Sequence, residues 1–283
     1  MRVLACYGYR DVRDEEWPRS KKIAPGCLRF SVRAVALDGT DRCEYLALPK
    51  RKPVLLGRAA AGVVTEPGES GLREGTPIVA WRSLDEEVMG FFSEFAQVNP
   101  QKVLVPKETF SFVELSLLPL WGSVWGAIPQ AKEKGAACAL CGRGSALKAA
   151  QELLPCKGWT ICEKENAAQL VLVAGAEGAD LERAVKLASR GARVTILSSG
   201  ALSVWENWAL ALPKTLCFNF GSVLEKSALE EVLRLATEER INLQSLLIAQ
   251  RSWDDAEKAF DLLESQGDAV VLTQGRAEEP YFP

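Results

Sequence analysis

The sequence predicts an α/β protein in two parts, a β-rich unit followed by a doubly wound, mostly parallel sheet. Three observations predict it. The first part, to about Trp121, carries short runs of β-branched and aromatic residues separated by Gly, Pro and acidic turns, with no long helical period between them. Beyond that point the period changes, and apolar strands alternate with helical stretches. At the first alternation a Gly-x-Gly turn, Gly142 and Gly144, joins a strand to a helix.

Taken in order, MRVLACYG, CLRFSVRAVAL, RAAAGVVTE, TPIVAW and SEFAQVN read as strands of a barrel or sandwich-like unit. AACALCGRGSALKAAQELL is a strand, a turn and a helix with Leu147, Ala150, Leu153 and Leu154 on one face. GWTICE and QLVLVAG are strands, and DLERAVKLASRG is a helix closed by Gly191. ARVTILSS and KTLCFNF are further strands, and KSALEEVLRLATEE is a strongly periodic helix. SWDDAEKAFDLLESQG is a helix with Ser252 or Asp254 as N-cap, before a last strand AVVLTQ. One connection is short for its class. Only residues 164–168 separate GWTICE from QLVLVAG, whereas a parallel crossover with its helix takes about a dozen residues. About five extended residues reach roughly 16–18 Å, enough to return along one short strand without a helix. That side of the sheet is expected to be open, or to be filled differently.

The 283 residues, 48% hydrophobic and 25% charged, describe an ordinary soluble globular chain. Net charge is -3, from 34 basic and 37 acidic residues, with no basic block, which argues against nucleic acid or an anionic membrane as partner. MRVLACYGYRDVRDEE holds no apolar core long enough for a signal peptide, and no run reaches transmembrane length. The eight scattered cysteines suit free thiols in a reducing cytoplasm. Cys138 and Cys141, with Cys156 and Cys162, are spaced like a metal cluster, but strand positions three apart point to opposite faces, so buried thiols are expected. There is no histidine, which removes the commonest general base and the commonest metal ligand together.

The order of these signals resembles the medium-chain dehydrogenase/reductase superfamily, that of zinc alcohol dehydrogenases and quinone oxidoreductases. VRAVALDGTDRCEY is similar to the family's Cys-Gly-Thr-Asp segment with its histidine, and PVLLGRAAAGVV to its Gly-His-Glu-x-x-Gly-x-Val stretch. GLREGTPIVAW, FSEFAQVNPQKVLVPKETFSFVELSLLPLWGSVWGAI and SWDDAEKAFDLLESQGDAVVLT match the segments around them, so the resemblance runs over about residues 1–274. It implies a GroES-like barrel over residues 1–121, completed by about 246–283, and a shortened Rossmann domain over 122–245. Relatives commonly pair through an edge strand of the nucleotide domain, here KTLCFNF, which implies a possible homodimer.

By the same resemblance the zinc-ligand places hold Asp38, Arg58 and, within one residue, Leu120, and Ala59 replaces the following glutamate. Arginine carries a permanent charge and leucine has no donor, so no zinc is expected. The structural-zinc lobe is also missing, since RSLDEEVMG has no cysteine. Thr40 stands where zinc relatives keep the proton-passing hydroxyl, and Cys43 where they keep a relay histidine. Asp38, Thr40, Cys43 and Arg58 are therefore the candidate catalytic residues, with Arg58 either polarising a carbonyl or pairing with Asp38 to fill the hole. Asp41 is expected to fix its loop by accepting backbone N–H groups. Trp81, Trp121 and Trp125 fall near the cleft by the alignment. The candidate cofactor residues are Gly142, Gly144, Ser145, Glu163 and Gly175. The third fingerprint glycine is Leu147, and Glu163 lies where an acid binds ribose hydroxyls and favours NAD over NADP.

Two functions fit. One is a zinc-independent NAD(P)(H)-dependent oxidoreductase, transferring a hydride to or from a small carbonyl, alcohol or activated alkene. The other is a dehydrogenase-fold protein that has lost redox activity and binds a metabolite or partner, or catalyses a non-redox step.

Overall fold

The computed structural model describes residues 1–47, 52–82, 89–175, 178–197, 211–221, 224–266 and 269–274, without the side chains of Thr40 and residues 263–266. Residues 82–90, read above for the structural-zinc lobe, lie mostly outside them. The chain divides into two compact units, Met1–Leu120 with Leu229–Pro283, and Trp121–Ala228.

In the first unit, β1 (Arg2–Gly8), β2 (Asp11–Glu16) and β4 (Val54–Leu55) make an antiparallel sheet in the order β2-β1-β4. A larger sheet centres on β3 (Leu28–Leu37), which pairs with β5 (Ala59–Glu66), β7 (Phe95–Val98) and β15 (Ala269–Thr273), all antiparallel. It continues through β6 (Pro77–Trp81) to β8 (Val103–Leu104) on one side, and through β15 to β14 (Leu247–Ser252) on the other. β3 is buried nearly throughout, and its run of Leu, Phe, Val and Ala side chains matches a strand covered on both faces.

The helix α1 (Gly39–Leu46) follows β3 directly, and α6 (Ala256–Gln266) packs beside it. Tyr45 stacks on Phe260 with ring centroids 4.7 Å apart, and Phe92 joins Phe260 and Trp253 at 6.3 and 6.1 Å. Such pairs add about 0.5–1.5 kcal/mol each beyond their buried area, so the C-terminal helix holds α1 against the sheet. The other end of α1 is held by the β1–β2 hairpin. Tyr9 and Arg10 at its tip both have positive φ (46° and 64°), and their N–H groups donate to Ala47 O and Tyr45 O at 2.7 and 2.9 Å. The left-handed backbone costs these L-residues about 1–2 kcal/mol apiece, and the capped helix carbonyls offset it.

The second unit is a parallel sheet in the order β10-β9-β11-β12-β13: β9 (Ala137–Gly142), β10 (Thr160–Ile161), β11 (Ala168–Ala174), β12 (Ala188–Ile196) and β13 (Cys217–Phe220). Between the strands lie α3 (Ser145–Cys156) and α4 (Gly178–Leu187). Ala139, Cys141, Val171, Val173, Val194 and Ile196 form one face with Leu181, Ala184 and Val185 of α4. The alternate positions Cys138, Leu170 and Leu172, equally buried, belong to the other face. Cys138 and Cys141 are thus free thiols on opposite sides of β9. Burial pushes both up, Cys141 to about 11.

The helix expected to reach Gly191 ends at Leu187, and residues 188–191 begin β12 instead. The last carbonyls of α4 are taken from outside the helix. Asn166 N–H and Ala167 N–H donate to Lys186 O and Leu187 O, and Lys214 Nζ reaches Ala188 O at 2.8 Å. Gly191 (φ 77°) lies in an irregular stretch between the Ala168–Ala188 and Leu170–Arg193 pairs, where extra residues of β12 have no counterpart on β11. Ser252 caps a 3-10 turn, Trp253–Asp255, that leads into α6.

Candidate functional site

In the first unit the ends of β3 and β5 bring the candidate catalytic residues together. Ala36 pairs with Ala59, so Asp38 and Arg58 stand on neighbouring strand ends. Asp38 then caps α1 in a reciprocal arrangement: Asp41 N–H donates to Asp38 Oδ1 (3.4 Å), and Asp38 N–H donates to Asp41 Oδ2 (3.1 Å). This is a capping box built from two aspartates. Asp41 Oδ1 also accepts Gly57 N–H at 2.7 Å, which ties α1 to the turn before β5. Gly57 has φ +81°, and an added Cβ would lie 2.3 Å from a Val35 methyl, so only glycine suits the place.

Asp41 is 2% exposed. Burial first, then the Asp38 charge, push its carboxyl up to about 8, against the pull of its two backbone donors and Arg58. The expected loop-fixing role of Asp41 is what the geometry shows. Cys43 is half-buried on α1 and outside any disulfide, and Arg58 is half-buried at the mouth of β5. Thr40 lies in the first turn of α1, and its side chain is outside the described part of the structure.

Among the described residues no three Cys, Asp or Glu side chains converge to hold a metal ion. Trp81 and Trp121 are core residues, 1% and 0% exposed. Trp125 lies under Lys157, whose Nζ is 4.0 Å from the ring centroid and donates to Trp125 O at 2.6 Å. Two hollows of about 500 and 410 Å³ also occur in the first unit, beside Thr76 with Lys107 and beside Ser111 with Gln250. Neither includes Asp38, Cys43 or Arg58.

In the second unit the structure brings together Gly142, Gly144, Ser145 and Gly175. Gly142 (φ 93°) sits so close to β11 that an added Cβ would lie 2.0 Å from Ala174 O, and Arg143 N–H donates to that same carbonyl at 2.9 Å. Gly175 packs from the other side, its would-be Cβ 2.8 Å from Arg143 O. Gly144 is the N-cap of α3, with φ 105° and no side-chain cap. Ser145, only 6% exposed, begins the helix. Leu147, in place of the third glycine, is buried. A glycine turn and a helix start without a side-chain cap are the kind of backbone that admits a phosphate.

Glu163 is not part of that cradle. Its side chain is 82% exposed, and its carboxylate lies 3.8 Å from Arg183 of α4. The start of α3 was legible as a motif; the start of α1 and the contact between Glu163 and Arg183 had no sequence signal.

No family model and no curated protein matches the sequence. Solved structures do. Galactitol-1-phosphate dehydrogenase from Escherichia coli is 15% identical with a TM-score of 0.79, over 97% of this chain and 100% of that one. An NAD-dependent alcohol dehydrogenase is 18% identical at 0.80, over 97% and 100%. The chain has the medium-chain dehydrogenase/reductase fold. CurK enoyl reductase shares it at 14% identity and a TM-score of 0.76, over 97% and 99%. That fold combines a GroES-like part with a Rossmann part. None of the described helices is long and apolar enough to cross a membrane.

Proposed function

We propose that this chain is a zinc-independent oxidoreductase that binds NAD(H) or NADP(H) and moves a hydride to or from a small carbonyl, alcohol or activated alkene. The observation that carries the reading is the glycine turn at residues 142–145, which leads into α3 with no side-chain cap and with Ser145 buried at its start. The fold neighbours named NAD-dependent alcohol dehydrogenase and enoyl reductase support it.

Gly142, Gly144, Ser145 and Gly175 would hold the pyrophosphate, the glycines by admitting it to the backbone and Ser145 by donating its hydroxyl. The bound nicotinamide supplies or accepts the hydride. Arg58 faces the substrate oxygen and stabilises the negative charge that develops there. Thr40, with Cys43 or Asp38 behind it, passes the proton that balances the hydride. Asp41 keeps this loop in place through Gly57. No step runs through zinc.

The test is a titration of the purified protein with NADH and NADPH, following energy transfer from its eight tryptophans. Saturation by either supports the reading; no binding of either at millimolar concentration sinks it. A second, non-redox reading is favoured by Leu147 at the third glycine and by the two-residue β10, and predicts no hydride exchange with any substrate. β13 ends the sheet with Phe220 70% exposed, and we place a homodimer contact there. Light scattering that reports a monomer removes that part of the proposal. A reducing, cytoplasmic setting suits the free thiols.

A further inference from the structure

We propose that this chain does not discriminate NADH from NADPH, because it grips only the phosphate and nicotinamide end of the cofactor. The inference rests on the cofactor reading above and adds which part of the cofactor is recognised.

The argument starts from β10. It pairs with β9 at two positions, Thr160 with Ala137 and Ile161 with Cys138. The last rung is Cys162 N–H to Cys138 O at 2.8 Å. Gly142, where the phosphate cradle begins, lies four residues farther along β9, about 13 Å at the rise of a parallel strand. Over that stretch no strand pairs with this edge of β9 among the described residues, whereas β11 pairs with the opposite edge as far as Gly142.

Among the described residues the next segment does not line that edge either. It turns at Asn166 (φ 58°), enters β11 at Ala168, and so passes to the other side of β9 at the sheet's N-terminal end. A ribose placed beyond the cradle therefore has no strand and no helix from this connection to lie against.

Selectivity at the ribose needs a fixed group. A carboxylate held to accept both hydroxyls selects NADH, and an arginine held for the 2′-phosphate selects NADPH. Here the acid at that strand end, Glu163, is exposed and meets only Arg183, itself exposed, at 3.8 Å. A surface contact of this kind is worth little and holds neither group in a fixed place for a ribose. The cradle itself is indifferent to the 2′ position, since Gly142, Gly144 and Ser145 address a phosphate through backbone and hydroxyl. No acid stands in the first turn of α3 to oppose that charge.

The experiment measures dissociation constants for NADH, NADPH and reduced nicotinamide mononucleotide on the full chain, by calorimetry and tryptophan energy transfer. The two dinucleotides are expected within about fivefold of each other, less than the gain from one well-placed charged hydrogen bond. The mononucleotide, which lacks the whole adenosine half, is expected within about tenfold of NADH. Glu163→Gln and Arg183→Ala are expected to leave the NADH-to-NADPH ratio within the same fivefold. A larger preference for either dinucleotide, a larger loss with the mononucleotide, or a ratio moved beyond fivefold by either variant overturns the inference while the cofactor reading stands. Failure of all three ligands to bind overturns both.

Discussion

Two helices begin at the candidate chemistry, and they begin differently. α1 opens on Asp38, whose carboxylate and whose N–H are both answered by Asp41, and Asp41 reaches on to Gly57. α3 opens on Gly144, which offers no side chain, followed by the buried Ser145. Every helix start presents N–H groups that need acceptors. At α1 Asp38 and Asp41 supply them, and both carboxylates are engaged in fixing a loop. At α3 no side chain of the N-cap residue does so. The lesson is that the two starts are settled separately, by local capping in two different units.

The largest effect should come from closing the second start. Gly142→Val puts a β-branched residue at φ 93° with its Cβ 2.0 Å from Ala174 O. Backbone strain alone costs about 1–3 kcal/mol, so a lower urea midpoint and loss of dinucleotide binding are expected. Normal binding by this variant would show that the turn has slack. Breaking the first start is the next largest. Asp41→Ala removes the acceptor of the buried Gly57 N–H, at about 1–3 kcal/mol, and that of the part-buried Asp38 N–H, at less. Urea unfolding should report that loss while the NADH dissociation constant stays put; a coupled loss of binding would contradict the independence of the two starts.

The pH response sharpens the same contrast. Asp41 titrates higher in the folded chain than unfolded, so the folded state holds the proton through a window from about 4, the ordinary carboxyl value, up to about 8. Its stabilising contribution is full below that window and fades as pH rises through it. The urea midpoint should therefore fall between pH 5 and pH 9, and Asp41→Asn should flatten the slope. An unchanged slope in the variant would assign the pH response elsewhere. The smallest effect is expected from Ser145→Ala. Removing one hydroxyl donor weakens phosphate binding about fivefold and leaves the unfolding midpoint within error. If binding is untouched, the hydroxyl does not face the ligand.

Much of the fold could be read before any coordinates. The change from short strands to strand–helix alternation, the Gly-x-Gly turn and the over-short connection before β11 are local facts of spacing, and a parallel sheet follows from them. Other elements could not be read. α1 has no apolar stripe in GTDRCEYL, and its stability comes from a capping box, a hairpin tip and the Tyr45–Phe260 stack, two of them distant in sequence. Gly191 carries the signature of a helix end, yet it serves a strand irregularity, because the α4 carbonyls had already found partners in Asn166, Ala167 and Lys214.

The sequence alone determined which residue types stand at each motif: no histidine, an arginine and a leucine at the relatives' zinc places, glycines at the cradle, an acid after the second short strand. Those are matters of chemistry and spacing, carried by the chain without folding. Only the tertiary structure decided what the groups face. Asp41 meets Gly57 because β3 and β5 end side by side, and Glu163 meets Arg183 because β10 stops after two residues and α4 packs on β9. A side chain's partner is set by which strands pair and where they stop, and that is fixed only when the whole sheet closes.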